Sequence, residues 1–198
     1  GYEKTADGVR EIMRYATGLP DDVVNWPRDR KHVWMRGVAF LRHVTDVALD
    51  RLLLLQQHNH HQQRREHRPY SVSTPPWNLK QPRTRGGDYS VFYAMHYFNN
   101  NDRDTDPIAV KPHVDPSLLV IEPFLCNETT GLQVHHDGAW IDCDNNTTMT
   151  NVMVLFVGKG MSQFGYSPTL HRVVRGDRPR QTIIYEQKYA EFYPPPNF

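Results

Sequence analysis

The chain has 198 residues, 38% of them hydrophobic, with 23 Lys and Arg against 22 Asp and Glu. That is enough for one domain with a sizeable core. A net charge of +1 sets up no field to draw in nucleic acid or an anionic membrane. The longest apolar run, Val152 to Val157, falls far short of the roughly 20 residues a membrane span needs. A mean hydropathy of −0.67 suits a domain with long polar loops. The two cysteines, Cys126 and Cys143, make no disulfide framework. Asn127, Asn145 and Asn146 head glycosylation-type triplets, which matter only in a secretory compartment, and no signal peptide opens the sequence. A reduced, intracellular, cytoplasmic setting is expected.

Taken in order, residues 7–15 read as a short helix, with Val9, Ile12, Met13 and Ala16 on one side and Gly18-Leu19-Pro20 as its stop. Residues 30–57 give the clearest helix. Val33, Val38, Leu41, Val44, Ala48, Leu52 and Leu55 recur at spacings of three to five, and Asp29 suits the N-cap. Its apolar stripe needs a sheet face to cover. Residues 58–69 are rich in His and Arg and read as a solvated helix end or loop. Three prolines and Gly86-Gly87 make 70–88 a long loop, a length often found in active-site lids.

From Tyr89 the pattern changes to strands: 89–98, 108–110, 118–121, 132–136, 139–142, 152–157, 170–174 and 181–187, separated by polar turns at 99–106 and 144–150. These short strands predict a mainly β fold with N-terminal helices, a double-stranded β-helix of the jelly-roll, cupin-like type. Residues 1–88 would give helical support and the long loop, and residues 89–198 the β core.

Two pieces carry chemistry. Lys111 to Asp115 reads K-P-H-V-D, and His171 lies 58 positions beyond His113. Two imidazoles and one carboxylate can hold iron(II) on one face and leave three positions open for substrate and oxygen. Residues i and i+2 of a strand share a face, so His113 and Asp115 can reach one metal, with His171 arriving from another strand. A zinc hydrolase could use the same three ligands. With 11 histidines in the chain, one H-x-D means little alone. His135-His136-Asp137 repeats the pattern, but Asp137-Gly138 is a two-residue hairpin signal, and Asp137 is read as the turn residue. Downstream, Arg180 offers a planar fork for a carboxylate, with the Thr182 hydroxyl two residues away on the same strand face.

Five segments in sequence resemble the iron(II)- and 2-oxoglutarate-dependent dioxygenases, in particular the branch that includes isopenicillin N synthase. They are M-H-Y-F at 95–98, H-V-D-P-S at 113–117, G-L-Q-V at 131–134 with D-G-A-W-I at 137–141, H-R-V-V at 171–174 and R-P-R-Q-T at 178–182. The resemblance covers about residues 89–187. It implies His113, Asp115 and His171 as ligands of Fe(II), and Arg180 with Thr182 as partners of the distal carboxylate of 2-oxoglutarate. Thr182 stands where the family usually has Ser. His96 and Phe98 replace an Asn and a Tyr, which leaves Tyr97 or Tyr93 to serve as the tyrosine beside the co-substrate. The implied reaction is oxidation of an organic substrate with O2, releasing succinate and CO2. Phe92, Phe124, Phe156 and Tyr185 are candidate pocket walls, though core packing suits each of them as well. Small molecules are the expected substrates. The competing readings are a non-catalytic jelly-roll binding module and an oxygenase of nucleobases or nucleic acid, the latter without support from the net charge.

Overall fold

The structure is a computed structural model that describes residues 1–5, 10–19, 23–66, 87–98, 106–124, 131–143, 152–176 and 178–192, with backbone only for 57–66 and 191. Most of the expected loop at 70–88, the turn at 99–106 and the loop at 144–150 lie outside these residues, as do Cys126, Asn127, Asn145 and Asn146. In chain order the elements are β1 (Tyr2–Lys4), β2 (Arg10–Ala16), α1 (Lys31–Glu66), β3 (Val91–Tyr97), β4 (Ile108–His113), β5 (Leu119–Pro123), β6 (Leu132–His136), β7 (Ala139–Asp142), β8 (Met153–Val157), β9 (His171–Val174) and β10 (Arg180–Gln187). Short 3-10 turns cover Lys159–Phe164 and Ala190–Phe192.

The strands form two antiparallel sheets, one in the order β1-β2-β3-β10-β5-β8 and one in the order β4-β9-β6-β7. This is the expected jelly roll. Among the described residues, no helix is long and apolar enough to cross a membrane.

The N-terminal segment departs from expectation. Residues 10–16 form a strand, not a helix, and pair in register with β3 from Arg10↔Tyr97 to Ala16↔Val91. Ile12 and Tyr15 are both buried, on opposite faces: Ile12 lines the cavity between the sheets, and Tyr15 joins the cluster under α1. Over seven residues the helical and strand periods are nearly indistinguishable, and the open edge of β3 decides the outcome.

The helix α1 starts after Arg30, whose carbonyl accepts a hydrogen bond from the Val33 N–H at 2.8 Å, so Asp29 is not the residue that precedes it. The helix continues through most of the polar tract to Glu66, a length of about 54 Å. Its buried line is Val38, Leu41, Thr45, Leu49 and Leu53, while Val33 and Leu55 are exposed. Val44, Ala48 and Leu52 flank that line and pack partly buried against the core.

Among the described residues the core has three parts. Two lie under α1, against the outer face of the larger sheet. One gathers Phe92, Ile121 and Tyr185 with Tyr15 and Trp26, and the other gathers Leu118, Leu119, Met161 and Phe164 with Leu49 and Leu53. The third lies between the sheets and contains Tyr97, Val120, Leu132, Phe156 and Val173. Polar ties lock the helix in place. Gln187 Nε2 and the Tyr189 hydroxyl both donate to Asp46 Oδ1, at 2.8 and 2.6 Å. Arg42 donates to the Thr17 carbonyl at 2.7 Å and pairs with Asp88 at 2.8 Å.

Candidate metal centre and anion site

Strand alternation turns every second side chain of β2, β3, β5, β8 and β10 toward the smaller sheet, and a cavity opens between the two sheets. His113 ends β4, an edge strand that carries Pro112 and two register shifts. Proline is tolerated there because an edge strand has a side with no ladder to complete. His113 stands directly opposite His171 across the β4–β9 pair. Their ring centroids lie 4.3 Å apart.

Asp115 comes from the segment just past β4 rather than from the strand itself. That segment is held from behind. The Asp115 carbonyl accepts from Lys159 N–H at 2.8 Å, and the Ser117 carbonyl accepts from Gly160 N–H at 2.9 Å. Gly158 makes the close approach feasible, since a Cβ there would meet the Ser117 carbonyl oxygen at 2.1 Å.

The ligand-type atoms of His113, Asp115 and His171 all lie within 4.8 Å of one another. His113 Nε2 is 3.5 Å from Asp115 Oδ1, and His171 Nε2 is 3.4 Å from Asp115 Oδ2. Each imidazole turns its Nδ1 to a backbone carbonyl, Lys111 O at 2.8 Å for His113 and Thr169 O at 3.1 Å for His171. With Nδ1 donating, Nε2 is the nitrogen that faces the carboxylate, and in the neutral ring it carries the lone pair a metal requires. The donor set of two nitrogens and one carboxylate fits iron(II).

The two histidines differ electrostatically. A hydrogen bond to Asp115 is the largest influence on His113 and raises its pKa. Burial lowers that of His171, which packs against Phe156 at a centroid distance of 4.7 Å. Burial also raises Glu186, another cavity residue, and pushes the Tyr93 hydroxyl up to about 12.

Arg180 lines the same cavity and is 4% exposed. It is the register partner of Tyr97, and its guanidinium lies over the Tyr97 ring, 5.0 Å from the centroid. The Tyr97 hydroxyl points to Met95 Sδ at 3.7 Å, so Tyr97 meets Arg180 through its ring. Arg180 Nη2 pairs with Glu122 Oε1, and the Thr182 hydroxyl donates to the same oxygen at 2.6 Å. Arg180 Nη1 is buried and has no hydrogen-bond partner among the described residues. A buried guanidinium with one unsatisfied NH2 group is a fit for an incoming carboxylate.

His113, Asp115, His171 and Arg180, singled out in the sequence, thus line one cavity, and Thr182 joins them through its hydrogen bond to the lining residue Glu122. His135, His136 and Asp137 do not. Asp137 and Gly138 both adopt positive φ, 48° and 81°, as the hairpin turn requires. His136 and Asp137 are exposed, and His135 meets Trp140 edge-to-face. The rings of His96 and Phe98 meet in a tilted contact, centroids 4.6 Å apart. Of the four candidate wall residues, Phe156 lines the cavity, Phe92 and Tyr185 pack under α1, and Phe124 is half-buried outside the lining. Sequence reasoning missed Glu122, together with Arg10 and Arg14, which β2 brings to the cavity. For Glu122 the available signal was alternation: it lies two residues after Val120, a core residue of the inner face.

Several solved structures share the fold. A full-length Neurospora crassa protein in complex with alpha-KG and 5-formyluracil superimposes with a TM-score of 0.66 at 14% identity, covering 99% of this chain and 65% of that one. The Arabidopsis thaliana dioxygenase for auxin oxidation 1, a binary complex with 2-oxoglutarate, gives 0.62 at 15% identity, covering 96% and 67%. The rice dioxygenase for auxin oxidation gives 0.59 at 15%, covering 95% and 58%. At these identities the likeness is one of fold, and the chain spans about two thirds or less of each structure's length. No curated protein matches the chain in sequence. The 2OG-Fe(II) oxygenase superfamily matches residues 89–187, half of the chain. The chain belongs to the 2OG-Fe(II) oxygenase superfamily.

Proposed function

We propose that the protein is an iron(II)- and 2-oxoglutarate-dependent oxygenase of small organic molecules, of the isopenicillin N synthase-like branch. The observation that carries this reading is the cluster of His113, Asp115 and His171, with all ligand-type atoms within 4.8 Å. These three residues hold the metal. Bound there, iron(II) supplies the oxygen chemistry, in which substrate, 2-oxoglutarate and O2 give oxidised substrate, succinate and CO2.

The chain's own groups do the rest. The Lys111 and Thr169 carbonyls fix the two imidazoles as Nδ1–H donors. Phe156 packs against His171, whose burial lowers its pKa. Arg180, backed by the Tyr97 ring and by Thr182, provides the positive charge for the distal carboxylate of the co-substrate. Arg10 and Arg14 line the cavity from β2 and face whatever substrate enters. Small-molecule substrates agree with the fold neighbours, two of which are described as acting on auxin and one as holding 5-formyluracil.

The test is succinate formation from 2-oxoglutarate with Fe(II) and O2 across a panel of small organic acids and nucleobases. Wild-type protein forms succinate with at least one compound, and Asp115→Ala forms none. Equal succinate from Asp115→Ala would overturn the metal assignment. No succinate from wild type with any compound would favour a non-catalytic binding module.

A further inference from the structure

Glu122 is 2% exposed and lies on β5 after a run of apolar residues. Burying a carboxylate is costly unless it is paired and hydrogen-bonded. Here both partners are the residues just assigned to the co-substrate: Arg180 Nη2 and the Thr182 hydroxyl converge on Glu122 Oε1. The chain's own carboxylate therefore occupies the position that the proposed function gives to an acid group of a small molecule.

We propose that Glu122 is an internal competitor for the Arg180–Thr182 anion site and sets how tightly a dicarboxylic 2-oxo acid is held. The inference rests on the reading that Arg180 and Thr182 receive the distal carboxylate. An entering dicarboxylate has two routes. It displaces Glu122 from the guanidinium, leaving a buried carboxylate without its cation, or it shares the guanidinium through Nη1, setting two carboxylates side by side. Each route costs binding energy in a buried site. A 2-oxo acid with an uncharged tail makes no claim on Arg180 and bears neither cost. Glu122 thereby determines co-substrate specificity: it narrows the advantage that Arg180 would otherwise give to a second carboxylate.

A purely structural ion pair would behave differently. Its removal would lower stability and leave the ranking of 2-oxo acids unchanged. The experiment is calorimetric titration of 2-oxoglutarate and of 2-oxobutanoate into Mn(II)-loaded wild type, Glu122→Gln and Glu122→Leu, with thermal unfolding of each. Manganese fills the metal site without turnover. Glu122→Gln keeps the size and an acceptor oxygen while removing the charge, and Glu122→Leu is the second variant should the amide refill the site.

The expected result is a Kd for 2-oxoglutarate at least about tenfold lower in a folded variant, with the Kd for 2-oxobutanoate unchanged. Saturating 2-oxoglutarate should also raise the melting temperature of the variant more than that of wild type. Binding seen in a variant and absent in wild type would support the proposal equally. Unchanged or weaker 2-oxoglutarate binding in the variants, or equal tightening of both acids, would overturn it while leaving the co-substrate site intact. If wild type and both variants bind Mn(II) but no 2-oxoglutarate, the reading of Arg180 and Thr182 falls, and the competitor role falls with it.

Discussion

The two faces of the larger sheet are built from the same strands and do opposite work. On β3, β5 and β10 the side chains turned to α1 include Phe92, Ile121 and Tyr185, which form a tightly buried cluster with Tyr15 and Trp26. The side chains turned to the smaller sheet include Tyr97, Glu122, Arg180 and Glu186, which line a cavity of opposed charges. A period of two lets one strand carry both sets. The difference teaches that two of the three core clusters sit on the helix side, while the inner face combines the third with charged groups that a core alone would exclude.

That contrast can be broken by substitution. The largest stability effect belongs to the helix side. Phe92→Ala removes a 1% exposed ring that meets Tyr15 and Trp34 at centroid distances of 6.1 and 5.8 Å. It should cost about 3–5 kcal/mol in urea unfolding while leaving metal affinity unchanged in the folded fraction. Asp115→Ala should do the reverse. Loss of one of three metal ligands should weaken Fe(II) binding by about 100-fold or more, since even partners one step removed from a metal are worth 10–100-fold. Its unfolding midpoint without metal should move little. If Phe92→Ala lost metal binding while folded, or Asp115→Ala unfolded, the two faces would not be separable.

Gly158→Ala tests the seam between them. The new methyl would meet the Ser117 carbonyl oxygen at 2.1 Å and push on the segment that carries Asp115. It should cost about 1–3 kcal/mol and weaken metal binding as well. An effect on stability alone would mean that Asp115 is positioned without this contact.

The smallest effect is a gain. Burial raises Glu186 above its ordinary value of 4.5, and Lys188 opposes the rise only in part. Its folded pKa therefore exceeds its unfolded one. The stability this contributes is fully present below about pH 4.5 and is lost as pH rises through the folded value. Glu186→Gln removes that loss, so the variant should be slightly more stable than wild type at neutral pH. The gap should close as pH falls below 4.5, as read by thermal unfolding across pH. A gap that widened in acid would contradict the burial argument.

What could be read from the sequence depended on how local the signal was. H-V-D, H-R-V-V and R-P-R-Q-T are short local pieces; the i, i+2 strand spacing holds for Arg180 and Thr182 within β10, whereas Asp115 lies just past the end of β4 and reaches the two histidines from there. Asp137-Gly138 announced its turn because only a narrow set of residues takes positive φ twice in a row. The N-terminal strand was hidden because Ile12, Met13 and Ala16 satisfy a helical period over so short a stretch. Only pairing with β3, some eighty residues on, selects the strand. Glu122 was hidden for a different reason. A charge that closes an apolar run reads as the exit of a strand to solvent. The partners that bury it, Arg180 and Thr182, lie 58 and 60 residues away and declare themselves only when β5 and β10 share a sheet.

The central claim is that His113, Asp115 and His171 bind iron(II) and that Arg180 steers 2-oxoglutarate to it. The most direct measurement is an anaerobic titration with Fe(II) and then 2-oxoglutarate, followed by visible absorption for the weak metal-to-ligand charge-transfer band. The account predicts a band in wild type that Asp115→Ala lacks and that Arg180→Ala develops only at much higher co-substrate concentration. Iron bound to wild type with no band at any 2-oxoglutarate concentration would contradict it.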